Sequence, residues 1–495
     1  MFFLIIFVFI LLVLYVIKEM KRPQNFPPGP MWLPFIGNLH ELKKLSKFLG
    51  GQHHALQELA HKYNTNVLGL KLGSEYIVTV FTYPLIREVL TSEEYQGRPD
   101  NFFLRLRCMG KRNGITCTDG EMWSNQRNFV NRHLRNLGFG KKQMEEMIRE
   151  EVVEVLNILY TDGGDINVDK FLAPSVLNVI WALITGERIS RDDSQLKELL
   201  DLFNRRSKAF DMTGGTLSLY PWLRYILPEW SGYNLIQRVN ANMKNFFMKT
   251  IYEHQQSWKE GKNDDLIYRY ISEMRANNND DEDFIEEQLV MICLDLFIGG
   301  AQTTSGTLNF AFLLMIMYPD IQKKVQNEID ENFEKGSIID YSERHKVPYV
   351  EAVLMEIMRF RHVIPVSGPR RVMQETTLDG YTIPKDTTVL ISLYSVHNSP
   401  EYWNNPEIFE PERFLDEKGC LITNERLLPF GLGKRRCLAE VLAKTCIFMF
   451  FVEILRKYTV CLAPGSEPLT EKYIPGIILS PTRYQARFVA RTTNI

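Results

Sequence analysis

A cysteine near the carboxyl end of the chain lies in a segment whose residue types suit metal binding. The segment runs from Phe430 to Cys437 and reads FGLGKRRC. Gly431 and Gly433 permit backbone conformations and a close approach that a side chain would block. Four spaced positions (Phe, Gly, Arg and Cys) therefore fit a loop that presents a sulfur to iron. The alternative is a basic loop that contains a cysteine by chance.

The residues around this cysteine favour its ionised form. A helical pattern over Leu438–Leu455 starts directly after Cys437, and the free N–H groups at its positive end would stabilise a thiolate. Arg435 could make a forked contact with a carboxylate of a cofactor. The segment thus predicts a thiolate ligand beside an anion-binding arginine.

Two other pairs have the spacing that places both side chains on one face of a helix. Glu356 and Arg359 are three residues apart and can form an ion pair. Trp123 and Arg127 are four residues apart and also share a face. Either spacing alone is weak evidence, because such pairs are common on solvated helices.

A long apolar helix predicted over Glu286–Met317 contains a polar, glycine-rich stretch. It includes Gly299, Gly300, Gln302 and Thr303. Each glycine inside a helix is about 1 kcal/mol less favourable than alanine, so this position should need them. Close packing against another helix is one explanation, and a distorted turn beside a ligand is the other.

Together these motifs resemble the cytochrome P450 superfamily, over essentially the whole chain and in the right order. The segment ending at Cys437 matches the F-x-x-G-x-R-x-C signature of that family. The overall pattern is most similar to animal microsomal members, insect enzymes among them. The resemblance implies a haem b cofactor (iron protoporphyrin IX), with Cys437 as the axial ligand of the metal and a thiolate that favours cleavage of the O–O bond.

The resemblance also implies catalytic roles on the long apolar helix, which would cross the haem. Thr303 would help deliver protons to bound oxygen, a local distortion of the helix would make room for that oxygen, and Gly300 would lie against the cofactor. Gln302, the second candidate catalytic residue, departs from the family, which usually has Asp or Glu at this position. An amide orients water but cannot relay a proton by ionising.

Further positions match residues that hold the cofactor in relatives. Trp123, Arg127 and Arg370 would contact the haem propionates together with Arg435, and three arginines against two carboxylates is chemically sensible. The loop residues Phe430, Gly431 and Gly433 would surround the ligand.

A structural triad is also implied by the resemblance. Glu356 and Arg359 would be joined by Arg413, which lies in the sequence Pro-Glu-Arg-Phe downstream. Their buried network would hold the segment around the cysteine loop in place without taking part in the chemistry.

The elements that must position these residues are mainly helical. Apolar residues recur at three- and four-residue spacing in five long segments: Asp119–Leu137, Lys142–Tyr160, Ile236–Lys259, Glu286–Met317 and Asp320–Asn332. Strand-like runs are few: a hairpin of Val67–Leu72 and Tyr76–Thr82, then Thr387–Leu393 and Gly476–Ser480. The predicted class is mainly α with a small β region, the cytochrome P450 fold.

Three regions are expected along the chain. Residues 1–20 would form a transmembrane signal anchor, residues 21–38 a stiff proline-rich linker, and residues 39–495 a single large haem-thiolate catalytic domain. Proline fixes φ and removes a hydrogen-bond donor, which supports a rigid linker over an ordinary loop.

The apolar run Met1–Ile17 is long enough to cross a membrane. Positive residues follow it at Lys18, Lys21 and Arg22. A cleaved signal peptide would instead have basic residues before the run and a small-residue cleavage site after it. The charges place the rest of the chain in the cytoplasm, which predicts a single-pass protein of the endoplasmic reticulum membrane, in contact with lipid.

Composition excludes several other classes. Apolar residues make up 45% of the chain, and the net charge of -2 gives no basic field for nucleic acid. The seven cysteines contain no CxxC pair, so a zinc ribbon, a thioredoxin-type motif and a disulfide framework are all unsupported.

The resemblance implies a monooxygenase that inserts one atom of O2 into a hydrophobic small molecule, by hydroxylation or epoxidation. Electrons would come from NADPH through a flavoprotein reductase, with a cytochrome b-type protein as a second donor. A basic surface would dock the reductase, or would simply be a solvated charged face: Arg132, Arg135, Lys141, Lys142, Lys434 and Arg436. The alternatives are a haem-thiolate isomerase or dehydratase, and a non-catalytic haem-binding protein.

The substrate stays open between an endogenous lipid or terpenoid hormone and a xenobiotic. By the family's layout, the pocket would be lined by five mostly apolar segments: Phe102–Thr116, Phe203–Leu223, Cys293–Thr303, Val363–Pro369 and Pro475–Ile478. Apolar walls of this kind suit a hydrophobic ligand.

Overall fold

Helices form most of the chain in the computed structural model, which describes residues 2–162, 165–276 and 283–491. The mainly helical class with a small β region is confirmed. In chain order the α-helices of the described residues are α1 (Phe2–Met20), α2 (Leu39–Leu49), α3 (Gln52–Lys62), α4 (Tyr83–Thr91), α5 (Phe102–Arg107), α6 (Gly120–Asn136), α7 (Lys142–Asp162), α8 (Asp169–Thr185), α9 (Ser194–Ala209), α10 (Gly215–Leu219), α11 (Leu223–Ile226), α12 (Tyr233–Ser257), α13 (Leu266–Ala276), α14 (Glu286–Met317), α15 (Pro319–Asn332), α16 (Pro348–Phe360), α17 (Leu393–His397) and α18 (Glu440–Lys457).

The strands are short and form four small sheets within the described residues. They are β1 (Val67–Leu72), β2 (Glu75–Val80), β3 (Asp165–Ile166), β4 (Val366–Arg371), β5 (Thr376–Leu378), β6 (Tyr381–Ile383), β7 (Thr388–Ser392), β8 (Tyr458–Leu462), β9 (Tyr473–Ile474), β10 (Ser480–Pro481) and β11 (Ala486–Ala490). The largest sheet has the order β1-β2-β7-β4, and only its central pair, β2 and β7, is parallel. The others have the orders β3-β11-β8, β9-β10 and β5-β6.

The predicted hairpin is confirmed, with β1 and β2 paired in antiparallel register from Val67 and Val80 to Leu72 and Glu75. Gly73 has a φ of +58° at the turn, which explains why a glycine stands there. The hairpin pairs with β7 of the later chain, so residues more than three hundred positions apart share one sheet.

The strand predicted over Gly476–Ser480 is wrong for residues 476–479, because β9 ends at Ile474 and β10 begins only at Ser480. Its backbone bonds to two other parts of the chain. The Ile477 N–H donates to the Ser207 carbonyl at 2.9 Å, and the Leu479 N–H donates to the Val363 carbonyl at 2.8 Å. These bonds replace the partner strand that the apolar pattern suggested.

The core is organised around α14, which is apolar on nearly every side. Most of its residues are buried, and α8, α12, α15, α16 and α18 pack around it. A helix that is hydrophobic all round belongs in the interior of a large protein. The stretch with Gly299 and Thr303 is therefore held in the middle of the body.

The amino-terminal helix differs from α14 although both are long and apolar enough to cross a membrane. Most of α14 is buried in the body, whereas the described side chains of α1 are largely exposed. The end of α1 is tied to the body, because Lys71 on β1 forms an ion pair with Glu19 at 2.5 Å. Arg22 then donates to carbonyls of the proline-rich segment, including that of Pro27 at 3.2 Å.

An exposed apolar patch continues from this helix along the body. Tyr15 of α1 contacts the ring of Phe35 at 5.9 Å, and the Phe35 carbonyl accepts a hydrogen bond from Tyr220. We call this surface the apolar patch, and its exposed members are Met31, Leu33, Phe35, Trp222, Tyr225, Ile226 and Trp230. Exposed apolar surface of this extent, next to α1, is typical of a contact surface.

Candidate active site

The loop before α18 is closed by its own backbone. The Cys437 N–H donates to the Phe430 carbonyl at 2.9 Å. Gly433 has a φ of +70°, and a Cβ at this position would lie 2.3 Å from the Leu90 carbonyl oxygen. Only glycine fits both the conformation and the contact with α4. Gly431 also has a positive φ, of +69°, and faces open space.

The helix after the cysteine begins later than its pattern predicted. Leu438 and Ala439 form a turn, and α18 starts at Glu440. This short turn places the Ala439 N–H beside the sulfur, and it hydrogen-bonds the thiol of Cys437. The free N–H that was expected from the helix end is thus supplied by the turn.

Cys437 is exposed although protein surrounds it closely. Burial raises the pKa of the thiol, while the Ala439 N–H and the charge of Arg127 act in the opposite direction. An exposed sulfur that is desolvated by protein on its other sides faces a confined space. A metal ion in that space would deprotonate the thiol outright.

Four arginines converge beside this loop, and we call Arg98, Arg127, Arg370 and Arg435 the arginine cluster. The Arg435 guanidinium lies 3.7 Å from the ring centre of Trp123, and that of Arg127 lies 5.7 Å away. The structure thus brings together Trp123 and the three arginines that the resemblance singled out.

The arginine cluster is short of negative charge. Burial lowers the pKa of Arg370 to about 8, and the positive charges of Arg98, Arg435 and Arg127 act in the same direction. Burial and the charge of Arg98 likewise lower the pKa of Arg435 to about 8, against the opposing effect of Asp119. No member of the cluster forms an ion pair with a carboxylate of the described residues; Asp119 itself binds Arg112 and Arg371.

Several polar atoms here are also fully buried without a hydrogen-bond partner among the described residues. They are the indole N–H of Trp123, the Nε of Arg98 and of Arg370, and the Nη1 of Arg435. Unpartnered buried donors are rare in folded proteins. Two carboxylates placed here would satisfy these donors and neutralise the charge, so the residues fit the propionates of a haem.

Arg98 is the member of the cluster that the sequence did not reveal. Its Nη1 donates to the carbonyls of Gly368 and Pro369, at 2.9 and 2.7 Å, which anchors β4 beside the loop. Burial lowers its pKa. The segment around it carries no spaced motif, so only the fold places this arginine with the others.

The two glycines of α14 have different surroundings. A Cβ on Gly300 would lie 1.8 Å from the Cδ1 of Ile180, so this glycine allows α8 to approach α14. A Cβ on Gly299, by contrast, would meet no neighbouring element of the described chain within 4 Å. Thr303 lies one turn further on this open side and donates its hydroxyl to the Gly299 carbonyl at 2.7 Å.

Gln302 does not share the open side with Thr303. It lines a cavity of about 1170 Å³ with Ser305, Gly306 and Asn309, which follow it at helical spacing. Residues of α7, α8 and α9 and of the segment 474–484 form the other walls, and many of them are polar. The structure therefore separates the two predicted catalytic residues, and Gln302 faces the polar cavity.

The predicted structural triad meets in the interior. Arg359 makes a forked contact with Glu356, with both N···O distances at 2.7 Å, and neither side chain is exposed. The Arg413 Nε donates to the same carboxylate at 3.1 Å, and the Glu410 N–H at 3.0 Å. The Arg359 Nη1 reaches the His397 carbonyl at 2.7 Å, which ties α16 to α17.

Segments that the family layout assigned to the pocket pack against one another. The rings of Phe103 on α5 and Phe210 after α9 lie 4.8 Å apart, and those of Phe203 and Phe297 lie 5.8 Å apart. With the bonds from residues 477 and 479 to Ser207 and Val363, these contacts draw the predicted pocket segments together around α14.

A helical body, a cysteine loop and unpaired cations that fit two carboxylates are typical of haem-thiolate proteins. The chain belongs to the cytochrome P450 family, whose model matches residues 27–488.

Similar proteins of known name come from insects and mammals. The probable cytochrome P450 305a1 of Drosophila melanogaster is 45% identical, over 96% of each chain. The farnesoate epoxidase of Bombyx mori is 35% identical, over 99% of each chain. Cytochrome P450 2J5 of Mus musculus is 36% identical, over 96% of this chain and 93% of its own length. The chain is therefore a haem-thiolate monooxygenase by family.

Proposed function

We propose that the protein is a microsomal monooxygenase that binds haem b through Cys437 and oxidises a hydrophobic small molecule with electrons from an NADPH-dependent flavoprotein reductase. The observation that carries the proposal is the pairing of the exposed, desolvated Cys437 sulfur with the unpaired arginine cluster. One feature fits an iron and the other fits two propionates.

Each part of the site would then have a distinct task. When bound, the cofactor supplies activation of O2. Trp123, Arg127, Arg370 and Arg435, joined by Arg98, would hold its carboxylates by charge-assisted hydrogen bonds. The backbone at Gly431 and Gly433 lets the loop approach closely, and the Ala439 N–H stabilises the thiolate of the cysteine.

Thr303 would hold a proton donor on the open side of α14. Its hydroxyl donates to the Gly299 carbonyl at present and leaves its lone pairs free to accept from water. Thr303→Ala should therefore raise peroxide release per NADPH consumed, whereas Thr303→Ser should not. Equal peroxide release in the two variants would remove this role.

The first experiment is the absorption spectrum of the reduced protein with carbon monoxide. The wild type should give a strongly red-shifted Soret band, and Cys437→Ala should lose it. Cys420→Ala, which changes another exposed cysteine, is the matched control and should keep the band. A band that survives in Cys437→Ala would overturn the ligand assignment.

The basic surface proposed for reductase docking is partly or fully exposed at all six positions, from Arg132 to Arg436. Two of them, Lys434 and Arg436, belong to the cysteine loop itself. Charge reversal at Arg132 and Lys142 should slow turnover driven by the reductase and leave peroxide-driven turnover intact. If both activities fall equally, the surface is a solvated face with no docking role. A cytochrome b-type donor would use the same surface.

The substrate class we propose is an isoprenoid or lipid. The support is the aromatic and apolar lining around α14 together with a relative that is named as a farnesoate epoxidase. Incubation with reductase, NADPH and farnesoic acid should yield an epoxide or alcohol that contains one atom from labelled O2. Label from water in the product would contradict a monooxygenase reaction.

We place the protein in the endoplasmic reticulum membrane, with α1 as a single-pass anchor and the body in the cytoplasm. The exposed α1 and the adjoining apolar patch support this location. Protease added outside sealed microsomes should digest the body; protection of the body would reverse the orientation.

A further inference from the structure

A buried cation outside the arginine cluster has no partner among the described residues. Arg206 on α9 is only 9% exposed, and its Nε is fully buried with no hydrogen bond. Its guanidinium forms no ion pair with any residue that the structure describes. Burial lowers the pKa of Arg206 to about 10, and the charge of Arg107 acts in the same direction. A buried charge without a counter-ion is unfavourable, so a ligand should supply one.

Asp295, the carboxylate whose charge acts on Arg206, already has other partners. Asp295 on α14 accepts from the Arg107 Nη2 at 2.7 Å, and from the N–H groups of Ile115 and Thr116 at 2.8 Å each. Cys117 is held in the same way, because the Arg107 Nη1 lies 3.3 Å from its sulfur. Arg107, and not Arg206, neutralises these groups.

The haem propionates are not the missing partner either. The groups that act on the pKa of Arg206 are Arg107, Cys117, Cys108 and Asp295. Those that act on Arg370 are members of the arginine cluster. Within the arginine cluster, Arg98 is also acted on by Arg107, Cys117 and Asp295, whereas other groups act on Arg127 and Arg435. Arg206 therefore shares neighbours with Arg98 but not with the other three members of the cluster.

Aromatic side chains pack near Arg206, in addition to the paired Arg107 and Asp295. One turn before it on α9, Phe203 contacts Phe297 of α14, and Phe210, which follows the end of α9, contacts Phe103 of α5. An unpaired cation beside aromatic rings suits an amphiphile, with an anionic head on the arginine and a hydrocarbon chain against the rings.

The distance along α14 sets the length of that chain. Asp295, whose charge acts on Arg206, and Thr303 are eight residues apart on the same helix. At 1.5 Å per residue this is about 12 Å, roughly the length of an extended ten-carbon chain. A head group at the level of Asp295 would bring the far end of such a chain to Thr303.

We propose that Arg206 binds the carboxylate of a hydrophobic acid and so selects acids over their esters, presenting the distal part of the chain for oxidation. This inference rests on the proposed function and names the substrate class of the same site. It assigns to Arg206 a specificity-determining contact with substrate.

The test compares farnesoic acid with its methyl ester, by titration of the absorption spectrum and by the ligand-induced rise in thermal midpoint. The wild type should bind the acid at least about 10-fold more tightly than the ester. Arg206→Gln should lose that preference by weakening acid binding and leave ester binding within about 2-fold. Arg205→Gln changes the exposed neighbour, which lies 3.9 Å from Asp201, and should alter neither.

Equal weakening of acid and ester in Arg206→Gln, or no preference for acid in the wild type, would overturn the proposal. The ligand-free proteins separate binding from a structural role, because removal of an unpaired buried charge should leave the thermal midpoint unchanged or higher. A lower midpoint would indicate a structural arginine and would also overturn the proposal. A red-shifted carbon monoxide band in the same preparations supports the proposed function whatever the acid binding shows. If the wild type lacks that band, the proposed function fails, and the thermal measurement still tests acid binding by Arg206.

Discussion

At the residue scale, Gly299 and Gly300 show how neighbouring positions of one type serve different purposes. Both looked equally unusual in the sequence, and the family explanation pointed to Gly300. The structure assigns Gly300 to the contact with α8 and leaves Gly299 beside the open side of α14. The contact with Ile180 therefore supports close helix packing at Gly300, one of the two explanations that the sequence left open.

Alanine substitution separates these two positions. Gly300→Ala should destabilise the protein by about 1–3 kcal/mol, because the new methyl group overlaps Ile180. Gly299→Ala should raise stability by up to about 1 kcal/mol, because it improves helix propensity without a clash. Thermal midpoints measure both changes. Combining Gly300→Ala with Ile180→Val removes the clashing Cδ1 and should restore stability; no recovery would contradict the packing role.

The spaced motifs reveal the site only in part. A cysteine in a glycine loop and a Trp–Arg pair are visible because their spacing is local. Arg98 and Arg206 carry no such spacing, and their importance comes from missing partners, which only a folded chain defines. The separation of Gln302 from Thr303 also depends on which helix packs on which side of α14.

At the element scale, the network of Glu356 joins α16, α17 and the turn that holds Arg413. Arg359→Leu should lower the free energy of unfolding by about 3–5 kcal/mol, since Glu356 would keep a buried charge with one partner fewer. Urea unfolding of the purified protein measures this. The exposed pair of Lys324 and Glu412 is the control, and Lys324→Ala should change stability little. A small effect at Arg359 would show that the network is not needed for the fold.

A second link between elements depends on pH. His254 near the end of α12 lies 3.1 Å from Asp265 just before α13. Burial alone would lower the pKa of His254, but the hydrogen bond and charge of Asp265 raise it overall. Stability from this pair is fully present below the unfolded pKa of about 6.5. It is lost as pH rises through the folded pKa.

In the wild type, the thermal midpoint should fall as the pH is raised from 6, in part because this pair is lost. The fall should be smaller in His254→Gln. His61→Gln, at an exposed histidine, provides the comparison and should keep the wild-type pH profile. An unchanged profile in His254→Gln would show that another group produces the pH dependence.

Long elements were predictable because periodicity accumulates over many residues. The bounds of α14 match the prediction, and the hairpin of β1 and β2 differs by one or two residues. Short elements were not predictable from the local sequence. The segment 476–480, for example, bonds to Ser207 and Val363, which only the folded chain brings close to it. The start of α18 moved for a related reason, because Leu438 and Ala439 form the turn beside the sulfur.

At the scale of the whole molecule, we expect the apolar patch to extend the membrane contact proposed for α1. Removal of residues 2–20 should leave a protein that still sediments with lipid vesicles, because Trp222, Tyr225, Ile226 and Trp230 remain exposed. Replacement of these four by serine in the truncated chain should release it to the supernatant. Release by truncation alone would limit the membrane contact to α1.

The arginine cluster has a consequence for the life of the protein in the cell. Until a cofactor arrives, the newly made chain must hold several mutually repelling buried cations, so the unloaded form should open more readily than the loaded one. Cellular proteases act on such opened chains. The amount of this enzyme would then follow the supply of haem. A shortage of haem would lower the amount of protein instead of leaving inactive protein to accumulate.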